Sequence, residues 1–179
     1  MRHLLRSSLP ALAVLCLALF SSAPARAVTV GVVPADTTVY VGDEFALRIL
    51  TSAFADLKGF DLVFSFDPAK LQFLGADAGE VLTGTGRPYA DYVGPPPGAG
   101  SILYDAAMLE GSTAGPGILV YFRYKALAVG DTPIQCQKVD FRDSNNAATL
   151  PDCTGGLVHI LSATPARPAS WGKVKTIYR

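Results

Sequence analysis

Along most of the chain after residue 28, apolar and polar residues alternate with a period of two. Phe60, Leu62, Phe64 and Phe66 fall on one side of Gly59–Phe66, with Asp61, Val63 and Ser65 on the other, which is the signature of a strand with one face in a core. Glu44–Ile49 alternates in the same way. Further strands are expected at 28–33, 38–41, 71–74, 102–109, 118–127, 134–141 and 157–161, separated mostly by clusters of Gly, Pro, Asp or Asn. Short strands at this spacing predict an all-β chain folded as an antiparallel sandwich. The 102–109 run is apolar on both faces apart from Tyr104 and Asp105, so it reads as a central strand or one covered by a loop.

Three segments depart from the alternation. Gly84 to Gly100 reads as a long Gly/Pro loop carrying Arg87, Tyr89, Asp91 and Tyr92 and running into Pro95-Pro96-Pro97. Asp143-Ser144-Asn145-Asn146 is rich in oxygen but lacks the spacing of a calcium loop, so a turn held by Asx hydrogen bonds is expected. From Ser162 the composition becomes that of a linker, followed by a short tail, 165–179, with Trp171, Val174, Ile177 and Tyr178. That tail is expected to be a flexibly joined recognition element, the alternatives being that Trp171 packs on its own domain or that the basic segment lies loosely on the acidic body.

The N-terminus changes the reading of charge and redox state. Arg2 and Arg6 precede the apolar run Leu9–Phe20, and Ala25-Arg26-Ala27 fits a small-x-small cleavage site, so residues 1–27 are expected to be a secretory signal peptide. The run is shorter than the roughly 20 residues of a spanning helix, and no later stretch is longer, so no membrane span is expected after cleavage. Removing Arg2, Arg6 and Arg26 from the 15 basic residues leaves 12 against 15 acidic. A slightly acidic chain is not the footprint of a nucleic-acid binder. Export to an oxidising compartment favours a Cys136–Cys153 disulfide over two free thiols. With His159 as the one other soft ligand of the mature chain, no metal site is expected.

No catalytic motif is present: there is no G-x-S-x-G elbow, H-E-x-x-H pair, Walker loop or strand-linked G-x-G-x-x-G. His159 lies within the last strand pattern and is expected to be satisfied by a neighbour. The chain is read as a non-enzyme without a cofactor.

One stretch is more specific. Gly59 to Gly75 is a strand, an Asp67-Pro68 turn and a second strand led by Leu71; Pro68 presets φ for the turn and Asp67 can accept backbone N–H groups. This stretch resembles the cohesin domain, as do Gly42-Asp43 ahead of the Glu44 strand, Asp77-Ala78-Gly79-Glu80-Val81-Leu82, Gly117–Tyr124 followed by Gly130-Asp131-Thr132, and Gly155–Ile160. The likeness spans 28 to about 161. It implies a nine-stranded jelly-roll sandwich, without catalysis, that binds a dockerin module of another protein in secreted, periplasmic or bacterial cell-surface assembly linked to polysaccharide breakdown. The family's acidic contact position falls on Asp61, which places Asp61, Val63 and Ser65 on the partner-binding side; the position two residues earlier, often Asn in the family, is Gly59 here. A solvated outward strand residue is the alternative for Asp61. Two other functions stay open: polysaccharide binding by Arg87, Tyr89, Asp91 and Tyr92, since aromatic faces beside polar groups suit sugars, and adhesion to another partner.

Overall fold

The computed structural model describes residues 27–94 and 100–163. The signal-peptide reading of 1–27 and the recognition tail of 165–179 therefore fall, except for Ala27, outside the described residues. The described chain forms twelve strands: β1 (Thr29–Val33), β2 (Asp36–Tyr40), β3 (Glu44–Thr51), β4 (Gly59–Ser65), β5 (Leu71–Ala78), β6 (Tyr89–Gly94), β7 (Ser101–Met108), β8 (Gly117–Ala126), β9 (Gly130–Arg142), β10 (Ala148–Thr149), β11 (Asp152–Thr154) and β12 (Gly156–Leu161). One short helix, α1, spans Glu80–Thr83.

They make two sheets. One runs β11-β1-β3-β8-β5; the other runs β2-β12-β9-β4-β7-β6, with β10 added to β9. The pairs β1/β11 and β2/β12 are parallel and the rest antiparallel. Each alternating strand turns its apolar side inward, so the inner faces of the sheets meet as a single core. Phe64, Tyr104, Phe122 and Tyr124 are fully buried at its centre. Phe122 takes Phe64 edge-on at 5.7 Å between ring centres, the arrangement that the charge distribution of aromatic rings favours.

Every segment expected to be a strand is one, within one to four residues at its ends. The strands beyond those expected are β6, β10 and β11, so the count exceeds the nine of a simple jelly roll. The largest correction is the 84–100 loop. Its middle, Tyr89–Gly94, pairs with Leu103–Met108 of β7, because β7 would otherwise leave a row of unpaired N–H and C=O groups at its edge. That pairing makes β7 an interior strand, as its two-sided apolar pattern suggests. The turn expectations hold: the Ala69 N–H donates to Asp67 Oδ1 at 2.9 Å, and the N–H groups of Asn145 and Ala147 both donate to Asp143 Oδ1 at 2.8 Å. Among the described residues no helix is long and apolar enough to cross a membrane.

The disulfide is present. Cys136 of β9 and Cys153 of β11 are joined with their Cα atoms 6.1 Å apart, inside the usual range for a bridge. Since β9 and β11 belong to different sheets, the bond links the two layers of the sandwich.

Candidate protein-binding face

Strand register decides which side chains are neighbours on the outside of the larger sheet. Asp61 of β4 stands opposite Asp105 of β7 and opposite Asp140 of β9, and Tyr92 of β6 stands opposite Asp105. Asp140, Asp61, Asp105 and Tyr92 thus form one row across four strands. On one side of this row lie Lys138, Val63, Leu103 and Gly94. On the other lie Arg142, Gly59, Ala107 and Ala90, three of which have almost no side chain. The small residues leave a depression of about 550 Å³ beside Asp61, Asp105 and Asp140. A Cβ at Gly59 would sit 3.1 Å from the Ala106 carbonyl oxygen, so a larger residue here would crowd the shelf.

Directly opposed carboxylates repel, and opposite charges meet only part of this repulsion. Lys138 Nζ forms an ion pair with Asp61, and Arg142 Nη2 lies 2.9 Å from Asp140 Oδ2. Asp105 forms no ion pair with a basic side chain among the described residues. Burial holds its carboxyl above the usual carboxylate range, with further increases from the charge of Asp61 and from the hydrogen bond that protonated Asp105 donates to Asp61; Lys138 acts in the opposite direction. Asp61 Oδ1 and Asp140 Oδ1 are closed off from solvent and, with the row ionised, accept no hydrogen bond from the described residues.

Asp61, Val63 and Ser65 do share the outer face, each half-buried among its neighbours. Ser65 is tied in by Gln137, whose Nε2 donates to its hydroxyl at 2.9 Å. The residues that the sequence did not place here are Asp105, Asp140, Lys138 and Tyr92. Alternation alone puts Asp105 on the face opposite Tyr104. That it also faces Asp61 follows from strand pairing, which leaves no local signal.

Arg87, Tyr89, Asp91 and Tyr92 are not brought together. In a strand, successive side chains point to opposite faces, and β6 obeys this. Tyr89 packs against the core, Asp91 accepts a hydrogen bond from the buried Tyr104 hydroxyl at 3.0 Å, and Tyr92 is turned outward and 56% exposed. Arg87 precedes the strand and donates from Nη1 to the Ser112 carbonyl at 3.1 Å. A convergent sugar site needs these groups on one surface.

His159 is satisfied as a strand residue. Its Nδ1 lies 2.7 Å from Asp131 Oδ1 and its Nε2 3.2 Å from Asp36 Oδ1, and the hydrogen bond with Asp131 leads the causes that raise its pKa. Among the described residues no group of three or more His, Cys, Asp or Glu side chains could hold a metal ion.

Known proteins agree with this architecture. The sequence matches the cohesin domain family over residues 30–160. A search of curated proteins finds no match. Among solved structures, the chain is similar to a non-cellulosomal cohesin from Archaeoglobus fulgidus, at 12% identity and a TM-score of 0.63, covering 86% of this chain and 99% of that one. It is similar to the OlpA cohesin of Clostridium thermocellum, solved in complex with a dockerin, at 12% identity and a TM-score of 0.64, covering 75% and 99%. A cohesin module from a family 33 glycoside hydrolase of Clostridium perfringens matches at 10% identity and a TM-score of 0.63, covering 76% and 97%. At such identities the structural likeness speaks for the fold, while the sequence match over 30–160 speaks for descent. The chain belongs to the cohesin domain family and is, as such, a non-catalytic protein-binding module.

Proposed function

We propose that this chain is exported and binds a dockerin-type module through the outer face of β9, β4, β7 and β6, in extracellular or cell-surface assembly connected with polysaccharide breakdown. The observation that carries the reading is the family match over nearly the whole sandwich, joined to a face on which Asp61 is flanked by a shelf of small residues and by Val63 and Leu103. Such a surface sets apolar side chains beside charged ones at the rim of a depression, the composition of a recognition patch with polar specificity. Solved relatives include cohesins in complex with dockerins.

The test is capture by the immobilised full chain from culture fluid, read by mass spectrometry and then by titration of the captured protein. A dockerin-bearing protein is expected, with Asp61→Ala weakening its binding by about 1–3 kcal/mol, the cost of losing a buried hydrogen bond to a charged group. Changes at Arg87 and Tyr89, which lie off this face, should leave binding intact. Binding unaffected by Asp61→Ala and abolished by Arg87→Ala would move the site to the β6 end of the molecule and reopen the sugar reading.

A further inference from the structure

The row on the outer face is unevenly neutralised. Asp61 has Lys138 and Asp140 has Arg142, and Lys58 is turned aside, its Nζ donating to the Gly111 carbonyl at 2.9 Å. Asp105, at the middle of the face, has Asp61 opposite it on β4 and Tyr92 opposite it on β6. From β9 it feels Lys138, already paired with Asp61. Beside it, Gly59 and Ala107 leave open the depression of about 550 Å³, where a long side chain from a partner has room to approach the carboxyl group. Two like charges set opposite each other in a sheet lower stability, and at Asp105 no basic side chain of the described fold forms an ion pair that would offset that cost.

We propose that Asp105 is a specificity-determining contact of this face, receiving an ammonium or guanidinium group from the bound module. The inference rests on the dockerin reading of the same face and names the partner chemistry it selects: a module with a Lys or Arg side chain that enters over Gly59 and Ala107. The charged form of Asp105 is the one that such a group binds. Burial and Asp61 raise its pKa, so the charged form is lost earlier on acidification than from an ordinary carboxylate, and association weakens as pH falls. Lys138 and Arg142 stay with Asp61 and Asp140, which leaves Asp105 as the discriminating charge.

A displayed library of dockerin modules, randomised at surface positions, is selected against the full chain at pH 7.5. The selected modules should carry Lys or Arg at a contact position and bind Asp105→Asn at least tenfold more weakly. Their affinity for the unaltered chain should fall on acidification to pH 4.5, and their residual affinity for Asp105→Asn should fall much less. A thermal melt of Asp105→Asn that matches or exceeds the unaltered chain shows that the loss is not unfolding. Selected modules that lack a basic contact, or that bind Asp105→Asn equally well, overturn the role of Asp105 while leaving the dockerin reading intact. A library that yields no binder to this face overturns that reading, and this inference with it. Carboxyl carbon NMR titration tests the pair without any partner: Asp61→Asn should lower the midpoint of Asp105, and an unmoved midpoint rules out the coupling.

Discussion

On the outside of the five-stranded sheet, Arg123 of β8 meets Asp77 of β5 at 2.8 Å and Lys125 of β8 meets Glu44 of β3 at 3.8 Å. Tyr121, next along β8, donates its hydroxyl hydrogen to Glu80 at the start of α1. On the outside of the larger sheet, Asp61 faces a carboxylate across both of its strand boundaries, Asp105 on one side and Asp140 on the other. The two surfaces are built from the same alternating pattern and meet the same solvent, yet only the larger sheet, besides its ion pairs, sets carboxylates directly opposite one another. Cross-strand pairs contribute a few tenths to about 1 kcal/mol each, with the sign set by the charges. Opposed carboxylates on the second sheet therefore cost stability that the first sheet shows this fold can avoid. A cost kept on one face and avoided on the other is what the recognition role proposed for the larger sheet would explain.

The largest expected effect concerns the bond that couples the two sheets. Replacing both Cys136 and Cys153 by Ser should lower unfolding free energy by about 3 kcal/mol in the chain-entropy view of loops of this size, measured by urea denaturation. Because the bond spans the layers, the loss should leave the charge effects below additive with it; strong non-additivity would mean that the bond itself sets the register of β9. Peptide mapping without reductant verifies the bridge directly.

Lys138→Met comes next. It leaves Asp61, Asp105 and Asp140 with one fewer cation among them and should destabilise by about 1 kcal/mol at neutral pH, with the loss shrinking under acid as the carboxyls take up protons. An equal loss at pH 7 and pH 4 would show that Lys138 acts by packing its stem rather than by charge. Asp105→Asn should do the opposite and raise stability by about 0.5 kcal/mol at pH 7. The sign follows from the raised pKa of Asp105. A carboxyl whose folded value lies above its unfolded one loses stability as pH rises through that window, so the gain from Asn should fade as pH falls toward the unfolded value of about 3.9. Arg123→Gln on the matched face is the smallest effect: a loss of a few tenths of a kcal/mol, nearly constant between pH 5 and 8 and reduced by salt. If Asp105→Asn destabilised as Arg123→Gln does, the contrast between the two faces would collapse.

How much of this was legible beforehand varied with distance along the chain. The inward placement of Phe60, Leu62 and Phe64 was visible because strand geometry fixes the period at two within a few residues. The Asp67-Pro68 turn and the Asp143 turn were visible because each is closed by atoms at most four residues apart. The half-buried Asp61 was placed on the right face, and its direction away from the core needed nothing beyond alternation. Arg87, Tyr89, Asp91 and Tyr92 read as one loop cluster because Gly and Pro crowd that stretch, and local composition does not reveal a vacant edge on β7 waiting to be paired.

The sequence by itself determined the sandwich class, the strands that supply its core and the family to which the chain belongs, since each rests on local periodicity or short motifs; it favoured a Cys136–Cys153 bridge over free thiols, and the fold brings the two together. The tertiary structure alone decided that Asp61 would stand between Asp105 and Asp140, that Lys138 would reach Asp61 and not Asp105, and that Tyr89 and Tyr92 would part to opposite sides of β6. The physical reason is that neighbours across a sheet come from segments far apart in sequence. Their register is set by backbone hydrogen bonds and the packing of the opposite face, so the charges on the outer face are aligned by forces in which those charges take little part.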